Sequence, residues 1–413
     1  RVRVAGAVQC RAWVLEVHPF ERGRKAVGVA LATDLAVGDA VDARSLHIAD
    51  GDDGGVILGL LEEFGWDPPD LLGMHARRQP GAQCLAVDQP VGLRVAADDS
   101  RRKEGQPVAI VPAAWPMIEG MTPGRLLFGY HMPNYTFPGV PAERLFEHVA
   151  GLTQAAEAAG FDLVTVMDHF YQISNVGPET DPMLEAYTTL GALATCTRRI
   201  GLSALVTGVT YRNPALLVKQ VTTLDTVSKG RAILGIGAAW NEAEHIGYGF
   251  EFPPIGKRMD RLEEALKIAR LMLAEERPSF EGRYYRIERA INSPRPIQAG
   301  GPPILVGGGG EKRTLRLVAR YADISHWFGT LEEGKRKLEI LDRYCEEEGR
   351  DPTAITRTVS APMTLALGDD LDAHAEVLRQ FMEAGFQGFT FRNPNLNTPE
   401  LLARAGELKK LLT

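Results

Sequence analysis

The stretch "PILVGGGGEKRTLRLVARYADISHWFG", residues 303 to 329, holds the pattern that decides the fold. An apolar run (303 to 308) ends in glycines, a helical pattern with basic residues follows, and a second apolar run (322 to 329) comes next. Runs this apolar, without polar alternation, read as strands covered on both faces, and the helix between them reads as a parallel crossover. Gly307 to Gly310 thus mark a strand-to-helix junction rather than a slack linker. Unsatisfied N–H groups and the positive end of the helix dipole favour an anion at such a junction. Lys312 and Arg313 fall in what the pattern reads as the first helical turn. Cations there are unfavourable by a few tenths of a kcal/mol up to about 1 unless an anion is present. Gly308, Gly309, Gly310, Lys312 and Arg313 are therefore expected to bind a phosphate.

The same alternation extends on both sides. Further apolar runs are "LLFGYHM" (126 to 132), "DLVTVMD" (162 to 168), "IGLSALV" (200 to 206), "AILGIGA" (232 to 238), "RTVSAPMTLAL" (357 to 367) and "GFQGFTFR" (385 to 392). Helical patterns separate them, such as "PALLVKQVTTLDTVS", in which Leu217, Val221, Leu224 and Val227 share a stripe. Eight strand–helix pairs in the region from Met121 onward predict a closed (β/α)8 barrel, a TIM barrel of the α/β class. The interval 240 to 302 is too long for one helix and a turn, and "SFEGRYYRIE" within it reads as a small hairpin, so an insertion is expected after strand 4. In this architecture the chemistry sits at the carboxyl ends of the strands. Those ends carry His131, Asp168-His169-Phe170, "VTGVTYRNP", "GIGAAWNEAE", "GGGGEKR", "HWFG" and Arg392. Two nucleotide motifs fail: "GIGAAW" has Trp240 at the third glycine position of a Rossmann turn, and "GGGGEKRT" lacks the Gly-Lys-Ser/Thr of a P-loop.

Composition changes near residue 120. The first 120 residues contain no Tyr or Asn, one Thr and two Lys, a strong deviation from ordinary usage. They show no sustained period of 2 or 3.6. We read residues 1 to 120 as an atypical segment, upstream read-through or disordered, with Met121 as the natural start and residues 121 to 413 as the barrel. The rival is a small independent domain. "DGDDGG" (50 to 55) opens like a calcium loop but has Leu61 at the twelfth position, so it reads as a solvated turn. The net charge of -7 argues against a nucleic-acid partner. No apolar stretch approaches the roughly 20 residues that span a bilayer, and no signal peptide heads the chain. The four scattered cysteines form no CxxC pair, so neither a disulfide framework nor a metal site is suggested and a cytoplasmic location is expected.

The motifs "FGYHMPNY", "VMDHF", "LVTGVTYRNPALLVKQVTTLDTVSKGRAILGIGAAWNEAEHIGYGF" and "ILVGGGGEKRTLRLVARYAD" together resemble the luciferase-like flavin- and deazaflavin-dependent oxidoreductases, particularly the coenzyme F420-dependent branch. The resemblance covers residues 121 to about 412. It implies hydride transfer between F420 and a small organic substrate, with an FMN-dependent monooxygenase as the alternative and a cofactor-free binding or structural barrel as a second. It places a non-prolyl cis peptide after strand 3, mapped to Gly208-Val209, as a bulge under the middle of the tricyclic ring. It puts His169 beside the ring, where imidazole assists proton removal from a substrate hydroxyl or simply hydrogen-bonds a neighbour. Asp168, Ala238 and Asn241 would adjoin the cofactor, and Trp240 would wall the substrate cleft or pack the insertion. Dehydrogenase members place a glutamate where this chain has Trp240 and a tryptophan where it has Gln172 and Ile173, which counts against alcohol or sugar-phosphate oxidation. Lys257, Arg258, Arg212 and Arg392 read as solvated positives rather than site residues. Relatives are commonly dimers, so a homodimer is expected.

Overall fold

The computed structural model describes residues 124–392 and 396–413, together with two short strands near the N-terminus. The chain divides into two compact units, Arg1–Asp99 and Ser100–Thr413. In the first, Trp13–Glu16 pairs antiparallel with Gly28–Leu31. The turn at 50 to 55 and the reading of the N-terminal segment as read-through fall outside the described residues.

The second unit is a ring of eight parallel strands. They are β1 (Leu127–Met132), β2 (Leu163–Val166), β3 (Gly201–Ala204), β4 (Ala232–Gly237), β5 (Ile304–Gly307), β6 (Ile324–Trp327), β7 (Thr356–Ser360) and β8 (Gly388–Phe391). Each strand pairs with the next, and β8 pairs with β1 to close the ring. All eight expected apolar runs are strands. The helices are α1 (Leu145–Ala158), α2 (Ala186–Cys196), α3 (Pro214–Ser228), α4 (Glu242–Tyr248), α5 (Ile255–Ala274), α6 (Thr314–Tyr321), α7 (Leu331–Glu347), α8 (Leu371–Glu383) and α9 (Pro399–Lys410). The expected insertion is present as α4, the long α5 and an antiparallel hairpin, Phe280–Glu281 with Arg286–Ile287.

Local chemistry explains the elements. Helix α3 starts where Asn213 Oδ1 accepts the Ala215 N–H (2.9 Å) and Pro214 supplies the first helical position. It ends on Lys229 in the left-handed region. Its stripe buries Leu217, Val221 and Leu224, but Val227 is exposed, so the expected stripe is one residue too long. Helix α7 begins with a capping box between Thr330 and Glu333.

Alternation along the strands divides the apolar side chains in two. Phe128, Val164, Leu202, Leu234 and Val306 point outward into the main core under the helices. Leu127, Leu163, Ile233, Leu305 and Ile324 form a separate apolar layer inside the ring. Two residues further along, on the same inward parity, come Thr165, Gly307 and His326, and on the neighbouring strands Ser203, Thr358 and Thr390. The interior thus turns from apolar to polar toward the carboxyl ends. These polar groups are buried, and a buried polar group is costly unless bonded. His131 Nδ1 meets Thr165 Oγ1 at 2.8 Å, and His326 Nδ1 meets Thr358 Oγ1 at 2.9 Å. Burial pushes both imidazoles down, to about 3 for His131 and about 4 for His326. The positive potential of His326, Arg392 and His169 adds to the effect on His131.

Candidate active site

The end of β3 sets the shape of the mouth. The non-prolyl cis peptide joins Leu205 to Val206, which corrects its mapping to Gly208-Val209. The reason lies in the pairing: Thr207 and Gly208 return to the sheet beside Ile236 and Gly237 of β4, and Val209 N–H donates to Gly237 O (2.9 Å). Gly208 and Val209 are therefore buried in the sheet and form no bulge. The protruding residue is Val206. A Cβ on Gly237 would lie 2.9 Å from its Cγ2, and one on Gly307 would lie 2.8 Å from its Cγ1. Glycines at the ends of β4 and β5 thus make room for Val206, whereas the space beside Gly208 is filled by Tyr211 and Ala239.

On one flank, the end of β2 carries Asp168 and His169. Asp168 is buried, and Arg212 holds it in two bonds, Nη1 to Oδ2 at 2.6 Å and Nη2 to Oδ1 at 3.0 Å. Burial raises the Asp168 pKa, and Arg212 only partly offsets this. The Arg212 guanidinium also reaches Glu185 (2.6 Å) and stands over the Tyr187 ring. Asp168, expected beside the cofactor, thus has both oxygens engaged by Arg212, and Arg212 is a half-buried brace rather than a solvated positive.

His169 Nδ1 lies 2.7 Å from Glu244 Oε2. Glu244 belongs to the short helix α4 and is fully buried. It also accepts the N–H groups of Phe170 and, at 3.1 Å, Tyr171, together with the Tyr211 hydroxyl at 3.1 Å. Burial pushes this carboxyl up, but the His169 bond and the two amides outweigh it, and the net pKa is below the ordinary value. The next residue, His245, is equally buried. Its Nδ1 donates to Asn241 O (2.6 Å) and its Nε2 meets Thr210 Oγ1 (2.6 Å). Helix α4 is therefore turned with Glu244 and His245 inward, while Glu242 is exposed and Ile246 is 73% exposed. Glu244 was missed in the sequence for that reason: apolar periodicity would have buried Ile246 instead.

Trp240 stands edge-on to His169, ring centroids 5.5 Å apart. It lines a cavity of about 640 Å³ with Tyr171, Gln172, Asn175, Glu179 and Asn241. Asn241 is thus placed on the cavity wall. Ala238 is half-buried at the end of β4, and its carbonyl accepts Arg258 Nε (3.0 Å). Arg258 also bonds Pro253 O and stacks on Phe252 at 4.0 Å; it too is structural rather than solvated. Lys257 and Arg392 are exposed, as expected.

On the other flank, Gly308 has φ 116°, in the left-handed region, and its N–H donates to His326 O (2.9 Å). Among the described residues, the amides of Gly309 and Gly310 donate to no backbone carbonyl. Helix α6 starts at Thr314, so Lys312 and Arg313 precede it instead of occupying its first turn. Arg313 is drawn away to Asp260 of α5 (2.6 Å) and to Gly256 O, while Lys312 is exposed. The cation against the loop is Lys337 of α7: a Cβ on Gly309 would stand 2.7 Å from its Nζ, and one on Gly310 would stand 2.8 Å from Thr314 Oγ1. Two open amides, a hydroxyl and an ammonium form a donor set suited to a phosphate group.

Comparison with known proteins shows the family and the fold. A family model described as luciferase-like monooxygenase matches residues 127–411. The chain belongs to that family and is an oxidoreductase. It is 28% identical over 341 residues to an F420-dependent glucose-6-phosphate dehydrogenase of Nakamurella multipartita, covering 70% of this chain and 96% of the relative. It is 38% identical over 230 residues to the enzyme of that name from Intrasporangium calvum, covering 54% of this chain and 63% of the relative. In fold it is similar to an F420-dependent secondary alcohol dehydrogenase, with TM-score 0.59, 19% identity and coverage of 70% of this chain and 99% of the other. A riboflavin lyase with modified FMN has a similar fold, with TM-score 0.58, 14% identity and coverage of 70% and 91%. Among the described residues, no helix is long and apolar enough to cross a membrane.

Proposed function

We propose that this chain is an F420-dependent oxidoreductase that moves a hydride between the deazaflavin and a small substrate lacking a phosphate group. The observation that carries the reading is the juxtaposition at the mouth. A phosphate-type donor set follows β5, and an imidazole held by a buried carboxylate follows β2, three strands away around the ring. A ligand using both must be long, with an anionic end and a reactive end. The relatives named for F420 support the deazaflavin as that ligand.

Bound there, F420 would supply the hydride-carrying carbon; the protein supplies position and proton handling. Gly309, Gly310, Thr314 and Lys337 hold the phosphate. Val206, protruding between the glycines of β4 and β5, backs the ring. His169 exchanges a proton with the substrate oxygen, taking it during alcohol oxidation and giving it during carbonyl reduction. Trp240, edge-on to His169, also lines the cavity, so the cavity adjoins this point. Among the described residues, the cavity is lined by no Lys or Arg, and its only charged lining residue is Glu179. A phosphate ester would meet repulsion there, so neutral substrates fit better; the glutamate and tryptophan of the dehydrogenase members are absent, which favours carbonyl reduction over alcohol oxidation. A cytoplasmic homodimer belongs to the same proposal.

Titration of the full chain with F420 and with FMN, followed by 2-propanol, acetone or glucose 6-phosphate, tests the reading. F420 should bind and change its visible spectrum with the neutral pair. Binding of FMN alone, or turnover of glucose 6-phosphate in preference, would overturn it.

A further inference from the structure

The geometry points to Glu244 as the positioning residue that fixes the tautomer of His169, keeping the proton on Nδ1 and presenting Nε2 to the substrate oxygen. This rests on the reading of His169 as the proton-handling group. Four donors converge on the Glu244 carboxylate: His169 Nδ1, the amides of Phe170 and Tyr171, and the Tyr211 hydroxyl. A carboxylate surrounded by donors is an acceptor only. Nδ1 must then carry the hydrogen, and Nε2 is the nitrogen left for exchange. Glu244 approaches the ring as the carboxylate of a catalytic triad approaches its histidine, holding orientation and tautomer without itself taking the proton.

The surroundings show why the carboxylate stays in place. Helix α4 is anchored by the neighbouring His245, bonded to Asn241 O and Thr210 Oγ1. Tyr211 sits edge-on to Phe170 and tilted against His245, with centroids 4.8 Å from each. The insertion therefore brings one buried carboxylate to a histidine 75 residues earlier in the chain. A helix that only covered the barrel would gain more from burying Ile246, which it leaves 73% exposed.

The Glu244→Gln variant separates this role from a purely structural one. The amides of Phe170 and Tyr171 both point at Oε1, so they select the orientation that keeps the Gln carbonyl there. The Gln NH2 group then faces Nδ1 and can only donate, which forces the proton to Nε2. Selective ¹⁵N labelling of histidine in the full chain, with His169→Gln to assign the signals, reads the tautomer without any coenzyme. The wild type should show His169 protonated on Nδ1 and the Glu244→Gln variant on Nε2. Turnover should fall about 10²- to 10⁴-fold, with F420 affinity within about threefold. Glu244→Asp should keep the Nδ1–H form and recover part of the activity. A wild-type Nε2–H tautomer, or a Glu244→Gln variant that loses activity with the tautomer unchanged, would overturn the inference. Failure of the wild type to bind F420 would count against the functional reading alone, because the tautomer is read separately.

Discussion

The two flanks of the barrel mouth are built on opposite plans. After β2, the proposed chemistry rests on side chains, and each is held by another side chain: Asp168 by Arg212, His169 by Glu244, Glu244 by Tyr211. After β5, it rests on backbone, with the Gly309 and Gly310 amides left open, Lys337 beside Gly309 and Thr314 beside Gly310. The contrast follows the work proposed for each flank. Proton exchange needs one nitrogen in one orientation, which only a locked network fixes. Anchoring a phosphate needs several donors in a concave loop, which bare backbone supplies without side-chain entropy.

The sharpest way to break this comparison is to remove the reactive side chain. His169→Ala should lower turnover about 10²- to 10⁴-fold while F420 affinity changes less than about threefold. Steady-state kinetics and a fluorescence titration on one preparation check both, and a large loss of affinity would mean that the flanks are not separate. Next in size, Arg212→Met leaves the buried Asp168 carboxylate alone and should cost about 3–5 kcal/mol of stability. Denaturant melts of that variant and of Asp168→Asn/Arg212→Met should show partial recovery in the double variant, with phosphate docking unaffected.

The opposite pattern is expected after β5. Gly309→Asp puts a carboxylate against Lys337 in the place of the phosphate and should weaken F420 binding about 100-fold, equivalent to about 2.7 kcal/mol, with unfolding little changed. Unaltered affinity would show that the anion is held elsewhere.

Taken per proton and per pH unit, the smallest effect lies inside the ring. The unfolded chain protonates histidine below about pH 6.5, but folded His326 and His131 resist protonation until about 4 and about 3. The unfolded state therefore binds more protons in this window, and stability falls as the pH drops from about 6.5 to about 4. Each proton contributes up to about 1.4 kcal/mol per pH unit. Thermal melts across that range should show the slope, and His131→Gln/His326→Gln should flatten it.

The strands and the glycine loop were legible because each is local: an apolar run, then residues without side chains at a helix start. The position of the protruding peptide was not. Leu205 and Val206 sit within an apolar run, and only the return of Thr207 and Gly208 to β4 reveals that the bulge precedes them. Glu244 was hidden because its helix inverts the apolar rule, and Lys337 because it comes from the following α/β unit. Arg212 and Asp168 meet across 44 residues, a distance at which a bare charge pattern says little. What escaped the sequence was pairing across elements.

Crystals of the full chain grown with F420 test the central claim most directly. The account predicts the phosphate within hydrogen-bond reach of the Gly309 and Gly310 amides, with the tricyclic ring between Val206 and His169. A phosphate bound away from that loop, or a ring lying out of reach of His169, would contradict it.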